Sequence, residues 1–352
     1  MRILSSRDWA FSLTLVALSI VAAACTGGEG GAGSTGTVPP EESTTTSLPL
    51  TSESRLRLAL VVHVDEPDFS GFWMVVSLGA LEAAEANDVD LEIVGDADPD
   101  VQARIVDTLI AGDVDGLIVS LAAPETLKPA LDRAAAAGIP VVTINSGIEH
   151  YRETSALTHV GQDEFTAGRA VGERLTAMGL EGDALCVVQE SNNAGLEARC
   201  DGVEAAYRGG AVVRARESVD MMSQADTVAL VSGRLESGGI AAVVTLDLFT
   251  GWAAADAVIA ARADAVVTTF DTWPEAFDRI RNGEIAFTID QQPYLQGSIP
   301  VQLLVDYLRN GSTPDSAQPV ETGPFVIDAT NIDEVAQETK EIDDRIGVRF
   351  AS

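Results

Sequence analysis

From Leu56 onward the chain repeats one signal: a run of strand length that is apolar at nearly every position, followed by a stretch with apolar residues at helical spacing. Residues 58–64 are the first such run, and the stretch 70–87 after it places Phe72, Val75, Val76, Leu78 and Leu81 on one helical face. Side chains alternate across a strand, so a run that is apolar throughout must be covered on both faces. Runs at 91–94, 116–120 and 141–144, separated by helical stretches 98–111 and 124–137, repeat the unit. Punctuation agrees: Asp98 with Pro99 reads as an N-cap and first-turn proline, and Gly138 with Pro140 ends a helix and leads into a strand. A second series follows at 184–188, 212–217, 240–246, 265–270 and 285–289. The fold class is therefore α/β, with two parallel-sheet lobes of three layers each and no residue-level repeat between them. A length of 352 residues suits two lobes and excludes one small domain.

The N-terminus sets the compartment. Arg2 and Arg7 precede an apolar run, 9–24, that is too short for a confident membrane span and ends in Ala22, Ala23 and Ala24 before Cys25. This reads as a secretion signal over 1–24. The small-residue site followed by cysteine resembles the lipobox of bacterial lipoproteins and implies lipidation at Cys25. The pattern departs in having Ala22, not a branched residue, three before the cysteine; ordinary secretion is the other reading. Residues 26–54 are Gly, Ser, Thr, Pro and Glu with few large apolar groups, so they cannot bury enough surface to offset ordering entropy. They read as a tether with a reach on the order of 30 Å. Gly28, Gly30 and Gly33 in this stretch match a dinucleotide fingerprint, but no strand precedes them and no helix follows, so the match is discounted.

Charge narrows the partners. Fifty-four acidic residues against 22 Lys and Arg give a net charge of −32, which repels phosphate backbones and anionic lipid and disfavours anionic ligands. Three cysteines are too few for a disulfide scaffold, and no CxxC pair suggests zinc or redox chemistry. Cys186 sits on the first strand of the second series and Cys200 on the helix after it. Packing of that helix on its own sheet would bring the two together, and an exported protein would oxidise such a pair; two independently buried thiols are the other reading. Such a bridge would stabilise the lobe by roughly 3 kcal/mol.

Ligands of open α/β sheets bind beyond the carboxyl ends of the strands. The loops there, at 65–73, 120–124, 145–147, 189–193, 247–252, 271–273 and 290–293, mix carboxylates and amides with Phe72, Trp73, Phe249, Trp252 and Trp273. Carboxylates and planar amides bond adjacent hydroxyls while an aromatic face covers the apolar face of a sugar ring, so the mixture suits a carbohydrate. Trp252 and Trp273 could instead cap helix starts. Catalytic and metal signals are weak: His63, His150 and His159 have no accompanying nucleophile or ligand motif. Asp96, Asp98 and Asp100 imitate a calcium loop, but Pro99 and Val101 stand where that turn needs freedom, and helix capping is the better reading. Asp271 and Asp290 could in principle flank a glycosidic bond; hydrolysis is a minor alternative.

An ordered set of landmarks adds a resemblance. The tetrapeptide at 70–73 (Ser-Gly-Phe-Trp), residues 138–147 (Gly-Ile-Pro-Val-Val-Thr-Ile-Asn-Ser-Gly), 159–165 (His-Val-Gly-Gln-Asp-Glu-Phe), the Arg-Cys-Asp-Gly at 199–202 and the stretch 287–297 are similar to the ribose-binding-like, type I branch of the periplasmic sugar-binding proteins of ABC transporters. The resemblance covers about residues 56–350. It implies two lobes joined by a three-crossover hinge, with boundaries at 56–162 plus 292–322 and 163–291 plus 323–347, following a signal (1–24) and a lipidated tether (25–55). It implies binding without chemistry, no cofactor, and contacts from Phe72, Trp73, Ser120, Asn145, Gln162, Asp247, Asp271 and Gln291; Trp252 joins them from the aromatic content of its loop. The ribose branch sets two arginines against its sugar. Ser146 and, within a residue, Glu197 stand there in this chain, which argues against ribose and for a polyol, hexose, disaccharide or amino sugar. The expectation is a monomeric receptor held outside the membrane by its lipid alone, passing a small neutral sugar or polyol to an ABC permease and not binding nucleic acid. A co-receptor that offers the sugar to a signalling partner is the alternative.

Overall fold

A computed structural model describes residues 55–65, 71–190, 193–216, 223–315 and 318–350. The leader, Cys25, the discounted glycine fingerprint and the tether all lie outside the described residues, as does Ser70.

In chain order the strands are β1 (Leu56–Val62), β2 (Val89–Gly95), β3 (Gly116–Ser120), β4 (Val141–Ile144), β5 (Thr158–Gly161), β6 (Asp183–Val187), β7 (Val212–Ala215), β8 (Ile240–Thr245), β9 (Val266–Phe270), β10 (Phe287–Asp290), β11 (Val320–Glu321) and β12 (Phe325–Asp328). The helices are α1 (Phe72–Ala86), α2 (Pro99–Ala111), α3 (Pro124–Ala136), α4 (Glu164–Ala177), α5 (Ala194–Ala206), α6 (Gln224–Glu236), α7 (Leu248–Ala261), α8 (Pro274–Arg281), α9 (Pro293–Asn310) and α10 (Ile332–Phe350). One sheet has the order β11-β5-β4-β3-β1-β2 and is parallel throughout. The other has the order β12-β10-β9-β8-β6-β7, parallel except for β12, which runs against β10. The chain crosses between sheets three times, after β5, after β10 and after β11.

The unbroken apolar runs have their explanation in the layers. In β1, Leu58, Leu60 and Val62 face α1 and α9, while Ala59 and Val61 face α2 and α3. All five are essentially inaccessible to solvent. Truncating Leu60 to alanine would cost roughly 2–5 kcal/mol through lost transfer energy and the cavity left behind. The second sheet is built alike: Ala184, Cys186 and Val244 face α4 and α5, and Leu185, Val187 and Val243 face α6, α7 and α8.

Each lobe also contains one helix pair at backbone contact. A Cβ built on Gly297 of α9 would stand 1.9 Å from the Val76 carbonyl oxygen of α1, and one on Gly168 of α4 would stand 1.9 Å from that of Arg199 in α5. No side chain fits at either point. In the first lobe the helix after a crossover, α9, is thus pressed onto α1, and in the second the helix after a crossover, α4, onto α5.

Asp98 caps α2 as expected, accepting from the Asp100 amide at 2.8 Å, and Asp96 accepts from the Asp98 amide; the capping reading of these acids stands. One correction concerns the loops. Residues 248–252 are helical, so Trp252 lies in the second turn of α7, with Asp247 as its N-cap. Strands β5, β11 and β12 carry no run long enough to stand out in the sequence.

Candidate ligand-binding site

The carboxyl ends of the two sheets gather the polar residues. His63 follows β1, Ser120 ends β3, Asn145 follows β4 and Gln162 follows β5; from the other lobe come Gln189 after β6, Asp247 after β8, Asp271 after β9 and Gln291 after β10. Three of the chain's positive-φ residues other than glycine fall here: Asn145 (φ 64°), Asp271 (φ 71°) and Gln292 (φ 54°). Short Asn and Asp side chains tolerate this left-handed region; Gln292 stores more strain and occupies the crossover before α9.

Hydrogen bonds join the first lobe to the second through the hinge. Asn145 Nδ2 lies 3.4 Å from Gln291 Oε1 and 3.3 Å from Gln296 Oε1, and Gln291 Nε2 donates to Asp271 Oδ1 at 2.6 Å. Gln296 Nε2 donates to the Gln291 carbonyl at 3.0 Å, and Thr322 Oγ1 donates to the same carbonyl at 2.8 Å. Behind Asn145, the wholly buried His159 contacts Thr143 Oγ1 at 3.0 Å and the Asn145 carbonyl at 3.2 Å. Burial holds its pKa down at about 3, so it serves as a neutral support for the loop.

On the first lobe, Gln102 Nε2 donates to Ser120 Oγ at 3.1 Å, so the serine's own proton is free for His63 Nδ1, 2.9 Å away. That leaves Nε2 of His63 as the protonated nitrogen, 3.6 Å from Glu190 Oε2 across the cleft. Burial lowers the His63 pKa and Glu190 opposes it, which fits a neutral ring. Trp73 stands edge-on to His63, with centroids 5.0 Å apart, and Phe72 edge-on to Trp73 at 5.1 Å.

The second lobe carries the charge. Asp271 is driven up to about 7 by burial, with Arg199 and Gln291 opposing and Asp247 and Glu164 adding to the rise. Burial also raises Asp247, although its Oδ1 accepts from the Phe249 and Thr250 amides at 2.8 and 3.1 Å. Arg199 is the cation among them. Its Nε and Nη2 donate to the fully buried Glu164 at 2.6 and 3.0 Å, its Nη1 to the Leu246 carbonyl at 2.6 Å, and its guanidinium lies 4.2 Å from the Phe270 centroid. Gln162 Nε2 donates to the same glutamate at 2.7 Å. The Cys186–Cys200 disulfide is present, with Cα atoms 6.0 Å apart, and ties β6 to α5 one residue from Arg199.

The lobes touch along the cleft. The Ala194 amide donates to the Ala122 carbonyl at 3.0 Å, and Ser146 Oγ donates to Asn193 Oδ1 at 3.1 Å. Asn193 also caps α5 and donates to Glu190 Oε2 at 2.6 Å.

Of the nine residues expected to bind ligand, the strand-end amides and carboxylates (Asn145, Gln162, Asp247, Asp271, Gln291), Ser120, and Phe72 with Trp73 all lie on the facing ends of the sheets. Trp252 differs: it packs beside the apolar core under α6–α8, edge-on to Phe249 at 5.5 Å. Phe249 is the α7 aromatic that approaches the first lobe, its ring 3.8 Å from where a Cβ on Gly71 would lie. The placement of Glu197 in the cleft is corrected. It lies on the outer side of α5, paired with Arg216 Nε at 2.6 Å and Arg214 Nη1 at 3.0 Å, and the arginine of α5 that turns inward is Arg199. Glu190 and Asn193 belong to a strand-end loop that the topology flags without assigning them a contact, and Gln296, inside α9, falls in the landmark stretch 287–297 without an assigned contact. His150 pairs with Glu153 at 3.5 Å on the surface, and no cluster of three or more His, Cys, Asp or Glu among the described residues could hold a metal.

Two parallel-sheet lobes with polar strand ends facing across a three-strand hinge define a ligand-enclosing receptor. A model of the periplasmic binding protein domain matches residues 62–312, and the chain belongs to that family. Among solved structures, a carbohydrate transporter from Acidothermus cellulolyticus 11B, in complex with myo-inositol, is 34% identical, with 82% of this chain and 99% of that one covered and a TM-score of 0.76. The xylose/arabinose-binding protein XylF of Sulfolobus acidocaldarius is 22% identical over 297 residues, 77% of this chain and 71% of XylF. XylFII in the XylFII–LytSN complex has the same fold, with 23% identity, 78% and 98% of the two chains covered and a TM-score of 0.68.

Proposed function

We propose that this protein is an extracytoplasmic receptor that encloses a small neutral sugar or polyol between its lobes and delivers it to an ABC permease. The observation that carries the reading is the chain Asn145–Gln291–Asp271, which joins strand ends of both lobes through the hinge. A ligand bonded to these groups from both sides converts its binding energy into hinge closure. Ser120, Gln162 and Asp247 supply further polar contacts, and the reading gives these contacts no catalytic role. Trp252 contributes by seating Phe249. The myo-inositol complex of the 34%-identical relative supports a polyol or hexose of similar size, and the acidic excess of the cleft disfavours an anionic one. The lobe boundaries at 56–162 plus 292–322 and 163–291 plus 323–347, a lipid anchor at Cys25 and a monomeric state complete the proposal.

Native mass spectrometry of freshly purified protein, followed by calorimetric titration with myo-inositol, hexoses, pentoses and amino sugars, tests it. A retained or titrated polyol or sugar with affinity lost in Asp271→Asn is expected. A ribose-only response, or turnover of any compound, overturns it. A second reading, a co-receptor that offers its ligand to a signalling partner, draws on XylFII having been solved in complex with another protein. Co-purification of a partner other than a permease from crosslinked cells would favour it.

A further inference from the structure

Helix α10 lies on both lobes. Ile332, Val335 and Ala336 pack on the outer core of the second lobe, and Asp333 pairs with Arg281 of α8 at 3.0 Å. Further along, Ile342 and the buried Ile346 pack with Met74, Val75 and Leu78 of α1, with Tyr294 of α9 and with Trp273. Positions 332, 335, 336, 342 and 346 form one stripe at helical spacing, so a single face serves the second lobe first and the first lobe later. A helix of 19 residues spans roughly 28 Å, enough to pass the hinge. Charge fixes the far end. Arg345 Nη1 donates to Glu82 Oε2 at 2.9 Å and sits 4.9 Å from the Tyr294 centroid, the Tyr294 hydroxyl donates to the same oxygen at 2.7 Å, and Arg349 Nη1 donates to Glu85 Oε2 at 2.8 Å.

We infer that α10 is a strap: a fourth, non-covalent link between the lobes that favours the closed arrangement and limits how far the cleft opens. Three covalent crossovers set the hinge axis. Rotation about them leaves two choices for α10, since its first half belongs to β12 and α8 and its second half to α1. One of the two contacts must slide or part. Both ends of the helix carry exposed ion pairs that salt can screen, so the strap is also where ionic strength reaches the hinge.

The test needs no ligand. Spin labels at Thr108→Cys and Ser237→Cys in the full chain carrying Cys25→Ser report the distance between lobes by pulsed electron resonance. Arg345→Glu with Arg349→Glu should shift the ligand-free distribution to longer distances, lowering the closed-to-open ratio about two- to tenfold for two exposed pairs. Adding Glu82→Arg and Glu85→Arg should restore it. Raising salt should lengthen the parent distances and shorten those of the reversed variant, whose like-charge repulsion it screens. Coincident distributions in parent and reversed variant, or a swap that fails to restore them at equal melting temperature, overturns the strap. Titration of the same four proteins with myo-inositol keeps the sugar reading separate: its failure in all of them sinks that reading and leaves the distance result standing.

Discussion

The two lobes hold their strand ends by different means. In the second, a disulfide and a buried arginine–glutamate pair stand directly behind the site, and every donor group of Arg199 used there has a partner. In the first, the corresponding work is done by neutral groups: Gln102 and Ser120 behind His63, and Gln296 with Thr322 behind Asn145 and Gln291. A buried charge is tolerable only when fully compensated, whereas an amide network loses one bond at a time. The second lobe should therefore fail abruptly when a partner is removed, and the first by degrees.

Arg199→Met should show the largest effect. It strands Glu164 without its countercharge in the interior and should cost about 3–5 kcal/mol, lowering the melting temperature by roughly 10 °C. Adding Glu164→Leu should recover most of the loss, and calorimetry of the three proteins decides whether the cost lies in the orphaned charge or in packing. Next comes Cys186→Ala with Cys200→Ala, which releases a short loop and should cost about 3 kcal/mol. Hydrogen exchange should place the loss in β6 and α5 and leave β1 protected as before; equal loosening in both lobes would contradict the contrast. Gln296→Leu tests the neutral network and should cost only about 1–3 kcal/mol, with weaker ligand binding as Asn145 and Gln291 lose their common partner.

The last effect concerns pH. Asp271 has a folded-state pKa of about 7 against an ordinary 3.8, so the folded protein holds that proton more tightly than the unfolded chain does. The ionised form is the penalised one: its cost is absent below about pH 4, grows as pH rises toward 7 and is complete above it. Ligand-free Asp271→Asn should thus gain a few degrees over the parent at pH 8 and little at pH 4, as melting curves at both values would show. A difference independent of pH would mean that the carboxylate is solvated in the folded state.

Much of this contrast was readable beforehand, and the remainder was hidden for physical reasons. Continuous runs such as that of β1 announce themselves because both faces are covered, and the strand-end rule then finds Asn145, Asp271 and Gln291 without a structure. Strands β5, β11 and β12 are two to four residues long and lie at the crossovers, where pairing partners rather than composition make them strands. Trp252 reads either as a loop residue or as a cap over a helix start, because an apolar helix start and a strand-end loop look alike until Asp247 is recognised as a cap. Glu197 and Arg199 are two positions apart on a helix, so a small uncertainty in alignment turns one outward and the other inward. The helical stripe of α10 is plain in its isoleucines, but no pattern says that one stripe serves two surfaces.

The glycine contacts at Gly297 and Gly168 bear on how this molecule could be reshaped. With backbone against backbone there is no side-chain layer to compress, so each lobe carries its strand ends as a stiff plate, and the tips can be exchanged without retuning the plate beneath them. On the proposed reading of the cleft as a sugar site, replacing Ser146, His63 or Glu190 would change what it recognises while the frame that swings it stays the same. The fold is in that sense a chassis, with ligand choice written in a handful of interchangeable tips and mechanical behaviour written in two places where nothing larger than hydrogen fits.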